Sequence, residues 1–246
     1  LNQKASNTFV VFLALICLFS FCPSIAFSEG NIWVANYGSN NITKLRASDG
    51  SKIGDYPVGA QPRALAFDGT NIWVANYGSN NITKLRASDG SKIGDYPVGT
   101  QPSALAFDGT NIWVANYGSN NITKLRASDG SKIGDYPVGA QPSALAFDGT
   151  NIWVANYGSN NITKLRASDG SKIGDYPVGT QPSALAFDGT NIWVANYGSN
   201  NITKLRASDG SKIGDYPVGA QPRALAFDGT NIWVANYGSN NITKLR

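Results

Sequence analysis

The octapeptide Asn-Ile-Trp-Val-Ala-Asn-Tyr-Gly begins at Asn31, Asn71, Asn111, Asn151, Asn191 and Asn231, a period of 40 residues that fills the chain from residue 31 to its end. The units are 31–70, 71–110, 111–150, 151–190, 191–230 and a partial 231–246. Within complete units only two positions vary: Ala60, Thr100, Ala140, Thr180, Ala220 at one, and Arg63, Ser103, Ser143, Ser183, Arg223 at the other. A unit this short cannot bury its own apolar side chains, so the chain must fold by stacking each copy against the next.

One unit reads as four short strands. Arg63 to Phe67 alternates small Ala64 and Ala66 with large Leu65 and Phe67, a strand with two apolar faces. Asp68-Gly69-Thr70-Asn71 has turn chemistry, and Ile72 to Tyr77 follows, with Trp73, Ala75 and Tyr77 facing one way and Ile72, Val74 and Asn76 the other. After Gly78-Ser79-Asn80-Asn81, Ile82 to Ala87 is a more polar strand. Asp89-Gly90 then leads into Lys92 to Val98, whose Gly94 and Pro97 suit a sheet edge. No helix-period stretch follows residue 30. Four strands per 40 residues, ordered from most apolar to most polar, predict an all-β chain of four-stranded antiparallel propeller blades with the innermost strand first. An open β-solenoid would have shorter coils, and a β-sandwich would not need identical units.

The blade count turns on the N-terminus. Ile25-Ala26-Phe27, three residues before Asn31, aligns with Leu65-Ala66-Phe67, three residues before Asn71, and would supply the missing inner strand of a first blade. Six blades are then expected, the last without its outer strand. The alternative is five blades, with the final unit completing the first. Upstream, Lys4 precedes an apolar run from Phe9 to Phe21, the length of a signal-peptide core and short for a bilayer span, and Ser24-Ile25-Ala26 offers small residues for cleavage. Residues 1–26 are therefore expected to be a hydrophobic helical signal segment, or else a membrane anchor, with a propeller over 27–246. Cleavage after Ala26 would halve the inner strand, whereas cleavage after Ser24 would preserve it. The initial Leu points to an alternative start codon or an incomplete chain.

The chain has no His, which removes a His-centred triad, a His general base and His metal ligands. Cys17 and Cys22, its two cysteines, lie in the leader. The net charge of +4 is not a basic patch. Each unit carries three cations (Lys44, Arg46, Lys52) against three anions (Asp49, Asp55, Asp68), and the excess comes from Arg63, Arg223 and the partial last unit. Nucleic acid is not an expected partner. Asp49 and Asp68 precede Gly and read as turn formers, while Asp55 has Lys52 or Arg46 as ion-pair partner. Two carboxylates of different ionisation, as glycoside hydrolysis requires, are hard to obtain from identical blades. The turns lack the ligand spacing of a calcium loop, so neither metal nor other cofactor is expected. Trp33 and its copies read as buried between blades, with sugar-stacking platforms as the alternative. Asn41-Ile42-Thr43 forms a glycosylation sequon but also a hairpin end.

Trp-Val-Ala-Asn, Asn-Ile-Thr-Lys-Leu-Arg, Asp-Gly and Val-Gly-x-Gln-Pro-x-Ala-Leu-Ala-Phe-Asp-Gly, taken in order, resemble the YVTN-type β-propeller repeat, which is related to NHL and virginiamycin B lyase-like propellers. The resemblance covers Ile25 to Arg246. It implies an exported bacterial protein, periplasmic, extracellular or on the cell surface. The lyase branch depends on His and metal-binding acidic residues, and without His its activity does not carry over.

In a propeller the loops Gly38–Asn41 and Gly59–Pro62 share one face. The candidate ligand-binding residues there are Gln61, Gln101, Gln141, Gln181 and Gln221, with Asn40, Asn80, Asn120, Asn160 and Asn200, and with Arg63 and Arg223 for an anionic group. No catalytic residue is assigned. The expected function is a non-catalytic scaffold giving multivalent binding of a glycan, cell-envelope or protein ligand. A lyase- or lactonase-like enzyme and a recently amplified array without a refined function are the alternatives. Near-identical blades also suit homo-oligomers formed by blade exchange.

Overall fold

The computed structural model describes residues 25–28 and 30–246. The predicted hydrophobic helix and signal segment fall on residues outside these. Every described element is a strand. Sheet one comprises β1 (Ile25–Ser28), β2 (Asn31–Asn36), β3 (Asn41–Arg46) and β4 (Lys52–Pro57). Sheet two follows with β5 (Pro62–Phe67), β6 (Asn71–Asn76), β7 (Asn81–Arg86) and β8 (Lys92–Pro97). Sheet three holds β9 (Pro102–Phe107), β10 (Asn111–Asn116), β11 (Asn121–Arg126) and β12 (Lys132–Pro137). Sheet four holds β13 (Pro142–Phe147), β14 (Asn151–Asn156), β15 (Asn161–Arg166) and β16 (Lys172–Pro177). Sheet five holds β17 (Pro182–Phe187), β18 (Asn191–Asn196), β19 (Asn201–Arg206) and β20 (Lys212–Pro217). Sheet six has three strands, β21 (Pro222–Phe227), β22 (Ile232–Asn236) and β23 (Asn241–Leu245).

Within each sheet the strands lie in chain order and pair antiparallel, as two- to five-residue turns require. The first three sheets form one compact unit, ending at Pro142, and the remaining chain from Ser143 forms another. The alignment that places an inner strand before Asn31 is correct: Ile25 pairs with Val34 and Phe27 with Ile32, matching Leu65 with Val74 and Phe67 with Ile72. β2 thus has β1 as its inner neighbour, and β21 pairs with β22, so the pairing needed for five blades does not form.

Packing follows from strand alternation. On β6 the Trp73 and Ala75 side and the Ile72 and Val74 side are both fully buried. Register places Lys84 opposite Trp73 and Ile82 opposite Ala75 on one face, with Leu85 opposite Ile72 and Thr83 opposite Val74 on the other. The Trp73 face of sheet two packs on Ile112, Val114 and Leu125 of sheet three, and in the second unit Trp153 of sheet four packs likewise on Ile192, Val194 and Leu205 of sheet five. Each such aliphatic side chain contributes about 1.5–3 kcal/mol relative to exposure. A lone sheet would leave all of them wet, so the stability lies in stacking.

Outer strands show how exposed edges are kept from pairing further. β8 carries Gly94 and Pro97, and a register shift between Lys84 and Leu85 leaves Ile93 as an exposed bulge residue. Tyr96 of β8 tilts against Trp73 with ring centroids 5.6 Å apart, and its ring occupies the space that a side chain at Gly130 of the next sheet would need.

Candidate functional site

The turn between the inner two strands is built by its aspartate. Asp68 Oδ1 accepts from the Thr70 and Asn71 backbone N–H groups at 2.9 and 2.6 Å, while Oδ2 accepts from Asn71 Nδ2 at 3.0 Å and Trp73 Nε1 at 2.7 Å. Asp108, Asp148, Asp188 and Asp228 each receive the same bond from their tryptophan at 2.7 Å. In sheet one Ser28 stands in that place and accepts from Trp33 Nε1 at 2.9 Å. Partial burial opposes ionisation of Asp68, but the bonds from Trp73, Asn71 and Thr70 outweigh it and hold the carboxyl below its usual range. The tryptophans of sheets one to four are fully buried packing residues with a satisfied N–H and offer no face to a sugar.

The other aspartates are equally committed. Asp55 pairs with Lys52 and accepts from Thr43 Oγ1 at 2.7 Å, while Arg46 reaches Asp49 instead. Among the described residues every carboxylate whose ionisation is displaced is displaced downward; Asp89, for example, is lowered to about 2 by bonds from the Ser91 hydroxyl and backbone N–H. None is raised toward a proton-donating role. Among the described residues no three carboxylate or thiol side chains gather as a metal site.

The loop residues singled out from sequence come together, in two different roles. Asn40 Oδ1 accepts from the Gln61 backbone N–H at 2.8 Å, and Asn80, Asn120, Asn160 and Asn200 make the same 2.8 Å bond to Gln101, Gln141, Gln181 and Gln221. The connection into sheet two is held from its other side as well, since Tyr77 N–H donates to Gln61 O and Gly78 N–H to Ala60 O, each at 3.0 Å. Both residue types sit in the left-handed region, with φ of 56° at Asn80 and Gln101. Asparagine tolerates this through local side-chain bonding, but glutamine there is uncommon and marks a strained loop.

Asn80 is therefore a brace. The Gln101 side chain is turned the other way: its carboxamide oxygen lies over Gly118, where an added Cβ would come within 2.9 Å of it, and no hydrogen bond among the described residues uses that amide. Gln61, Asn80, Thr100 and Gln101 line a groove of about 420 Å³ with Tyr77, Gly78 and Gly118. No ionised side chain lines it. Arg63 lies beside it, with its guanidinium carbon 4.9 Å from the Tyr77 ring, and Tyr77 is 6.5 Å from Tyr117. Arg223, in the second unit, stacks on Tyr237 at 5.4 Å.

Sequence reasoning missed two buried polar features. Lys84, 3% exposed, donates to the backbone oxygens of Ala127 and Ser128 at 2.7 and 3.2 Å while lying 4.7 Å from the Trp73 ring centre. Burial lowers its pKa, against the attraction of Asp68 and Asp129. Its place opposite Trp73 in the strand register was the available signal. Asn76 is also fully buried, donating to Asn81 Oδ1 at 2.9 Å and Thr83 Oγ1 at 2.8 Å, while its own Oδ1 has no partner.

No family model and no curated protein matches the chain. Solved structures do. A streptogramin B lyase structure is 24% identical, covering 90% of this chain and 78% of its own at a TM-score of 0.77. The virginiamycin B lyase from Staphylococcus aureus is 22% identical with the same coverages and TM-score. The computationally designed Ika8 protein is 14% identical, covering 91% of this chain and 70% of its own at 0.79. Likeness at these identities concerns the backbone, and with the repeated four-stranded sheets it makes this chain a β-propeller repeat protein, the fold it shares with these lyases and with the designed protein.

Proposed function

We propose that this chain is an exported, non-catalytic propeller scaffold whose loop-side grooves bind neutral, hydrogen-bonding ligands, either glycans or the backbone of an extended protein segment. In this reading the leader up to residue 24 directs export, cleavage after Ser24 keeps β1 (Ile25–Ser28) whole, and the six sheets serve as six blades. The observation that carries it is the groove between the Gln61 and Gln101 loops, where amide groups and the Thr100 hydroxyl converge beside the Tyr77 ring with no ionised side chain. Convergent uncharged donors and acceptors next to an aromatic wall suit hydroxyl-rich or peptide ligands. Repetition of the Asn-braced glutamine at five loops favours avidity from several weak contacts.

A glycan and cell-envelope binding screen on the purified protein tests this. Binding that disappears in the triple variant Gln101→Ala, Gln141→Ala, Gln181→Ala, with unchanged circular dichroism, supports the grooves; unchanged binding removes them. The fold likeness to two lyases favours a second reading, an enzyme of that type. Fold does not carry activity, and the aspartates of the tryptophan turns, held ionised by their hydrogen bonds, are poor proton donors. Consumption of a streptogramin B or virginiamycin B substrate by the purified protein would establish that reading instead. An absence of any ligand in both assays favours an amplified array without a refined function.

A further inference from the structure

We propose that the groove beside Arg63 takes an acidic sugar, with the Arg63 guanidinium holding the carboxylate of a uronic acid residue. The inference rests on the groove reading above and names the ligand class for one groove. Position 63 is one of the two at which the repeat departs from itself. Its serine copies show the structural role that arginine gives up: Ser183 Oγ donates to Ala195 O at 3.3 Å and to Pro222 O at 2.9 Å, joining one inner strand to the next. Arg63 makes neither bond. It is half-buried, its guanidinium carbon stands 4.9 Å from the Tyr77 ring centre, and among the described residues it has no hydrogen bond and no ion pair. The aspartates of sheet two are all committed elsewhere, Asp68 to Trp73, Asp89 to Arg86 and Ser91, and Asp95 to Lys92 and Thr83.

A guanidinium laid on an aromatic face keeps its N–H edge for a planar, bidentate acceptor, and the stacking limits the freedom lost on binding. Carboxylate is that acceptor. Tyr117, 6.5 Å from Tyr77, feels the same charge: burial raises its phenol pKa, and Arg63 works against the rise. The neighbouring groups decide what carries the carboxylate. Gln61, Thr100 and Gln101 line the groove with Tyr77, and carboxamides and hydroxyls both donate and accept. A peptide C-terminus would bring its carboxylate with a backbone in need of partners, but the Gln61 and Gln101 backbone N–H groups are already taken by Asn40 and Asn80. A uronic acid residue brings one carboxylate and several hydroxyls, which matches one cation beside several neutral groups. In the second unit Tyr157 and Tyr197 form the same ring pair at 6.5 Å with Ser143 in place of the arginine, so charge is what sets the Arg63 groove apart.

The test is calorimetric titration of the full chain with trigalacturonate and with triglucuronate, each beside its uncharged methyl ester. An Arg223→Ser background leaves Arg63 as the one arginine at this position of the repeat. One of the acids should bind roughly tenfold tighter than its ester, and Arg63→Ser should bring that ratio to about one. Serine already stands there in Ser103, Ser143 and Ser183, so the fold has a precedent for the change. Arg63→Lys, which keeps the charge without the fork, should retain a ratio of roughly threefold. The inference is overturned by equal binding of acid and ester, by a ratio that survives Arg63→Ser, or by tighter binding of an acetylated tripeptide with a free carboxylate. Failure of both acids and both esters to bind overturns it too, and the glycan screen then decides the groove reading by itself.

Discussion

Asp108→Ala should be among the most damaging single substitutions outside the aliphatic packing. Its carboxylate accepts from the Thr110 and Asn111 backbone N–H groups at 2.9 and 2.7 Å, from Asn111 Nδ2 at 3.1 Å and from Trp113 Nε1 at 2.7 Å. The turn N–H groups can find water after truncation, at a cost of about 1 kcal/mol together with the lost charge assistance. Trp113 cannot, being fully buried, so its indole N–H is left unpaired at a cost of about 1–3 kcal/mol. The expected loss is about 3 kcal/mol, read as a shift of the urea midpoint by circular dichroism at unchanged m. Asp108→Ser should cost only about 1 kcal/mol, because Ser28 already performs the tryptophan part of the task in sheet one. A loss below 1 kcal/mol for Ala, or equal losses for Ala and Ser, would refute the assignment of the turn's stability to this tryptophan contact.

Acid should unfold the protein in a narrow range. Asp108 and Asp129 are lowered from an ordinary value of 3.8, the latter to about 2, so the stability they confer is complete above that value and fades as pH falls through the folded values; thermal midpoints should be level from pH 8 to about 5 and drop steeply below about 4. A decline between pH 8 and 5 would contradict this, since the chain has no His to titrate there. Gly130→Ala should destabilise by about 2–3 kcal/mol, because φ is 78° and the new Cβ would lie 2.0 Å from Tyr96 Cε1; Tyr96→Leu in the same background should recover part of the loss. Gln101→Gly should be neutral within about 0.5 kcal/mol, relief of left-handed strain offsetting backbone entropy, whereas Asn80→Ala should cost about 1–2 kcal/mol by releasing the Gln101 N–H. Equal effects in urea melts would show that both residues are only structural.

The strands were legible because one unit contains both periodicities and breakers. Trp73 and Val74 announce two buried faces, and Asp68-Gly69 announces the turn between strands. Even the first inner strand could be placed by aligning Ile25-Ala26-Phe27 with its copies. The expected Ile72 to Tyr77 strand ends instead at Asn76, because the Tyr77 N–H is taken by Gln61 O of the preceding connection. That bond joins residues from different units, which periodicity within one unit does not report. The same holds for Lys84. Alternation marks it as polar and solvent-facing, yet its partner carbonyls lie 43 and 44 residues ahead in the neighbouring sheet. Gln101 was legible as a loop residue but not as left-handed, since the residue before a proline ordinarily prefers extended geometry.

Near-identical sheets also restrict how a site can arise. Any feature of the repeated sequence occurs several times with the same geometry, as the five Asn-to-Gln braces do. A unique site must use an exception, such as Ser28 or the arginines at 63 and 223. Ligand stoichiometry separates these cases. If the grooves act, calorimetric titration with a groove-sized oligosaccharide should give more than one ligand per chain, and Arg63→Ser should leave both stoichiometry and affinity within about twofold, well under 1 kcal/mol. A single ligand per chain whose binding is lost in Arg63→Ser would place function at the arginine stacked on Tyr77 and would end the multivalent reading, because the arginine is one of the few side chains that the repeat does not copy throughout.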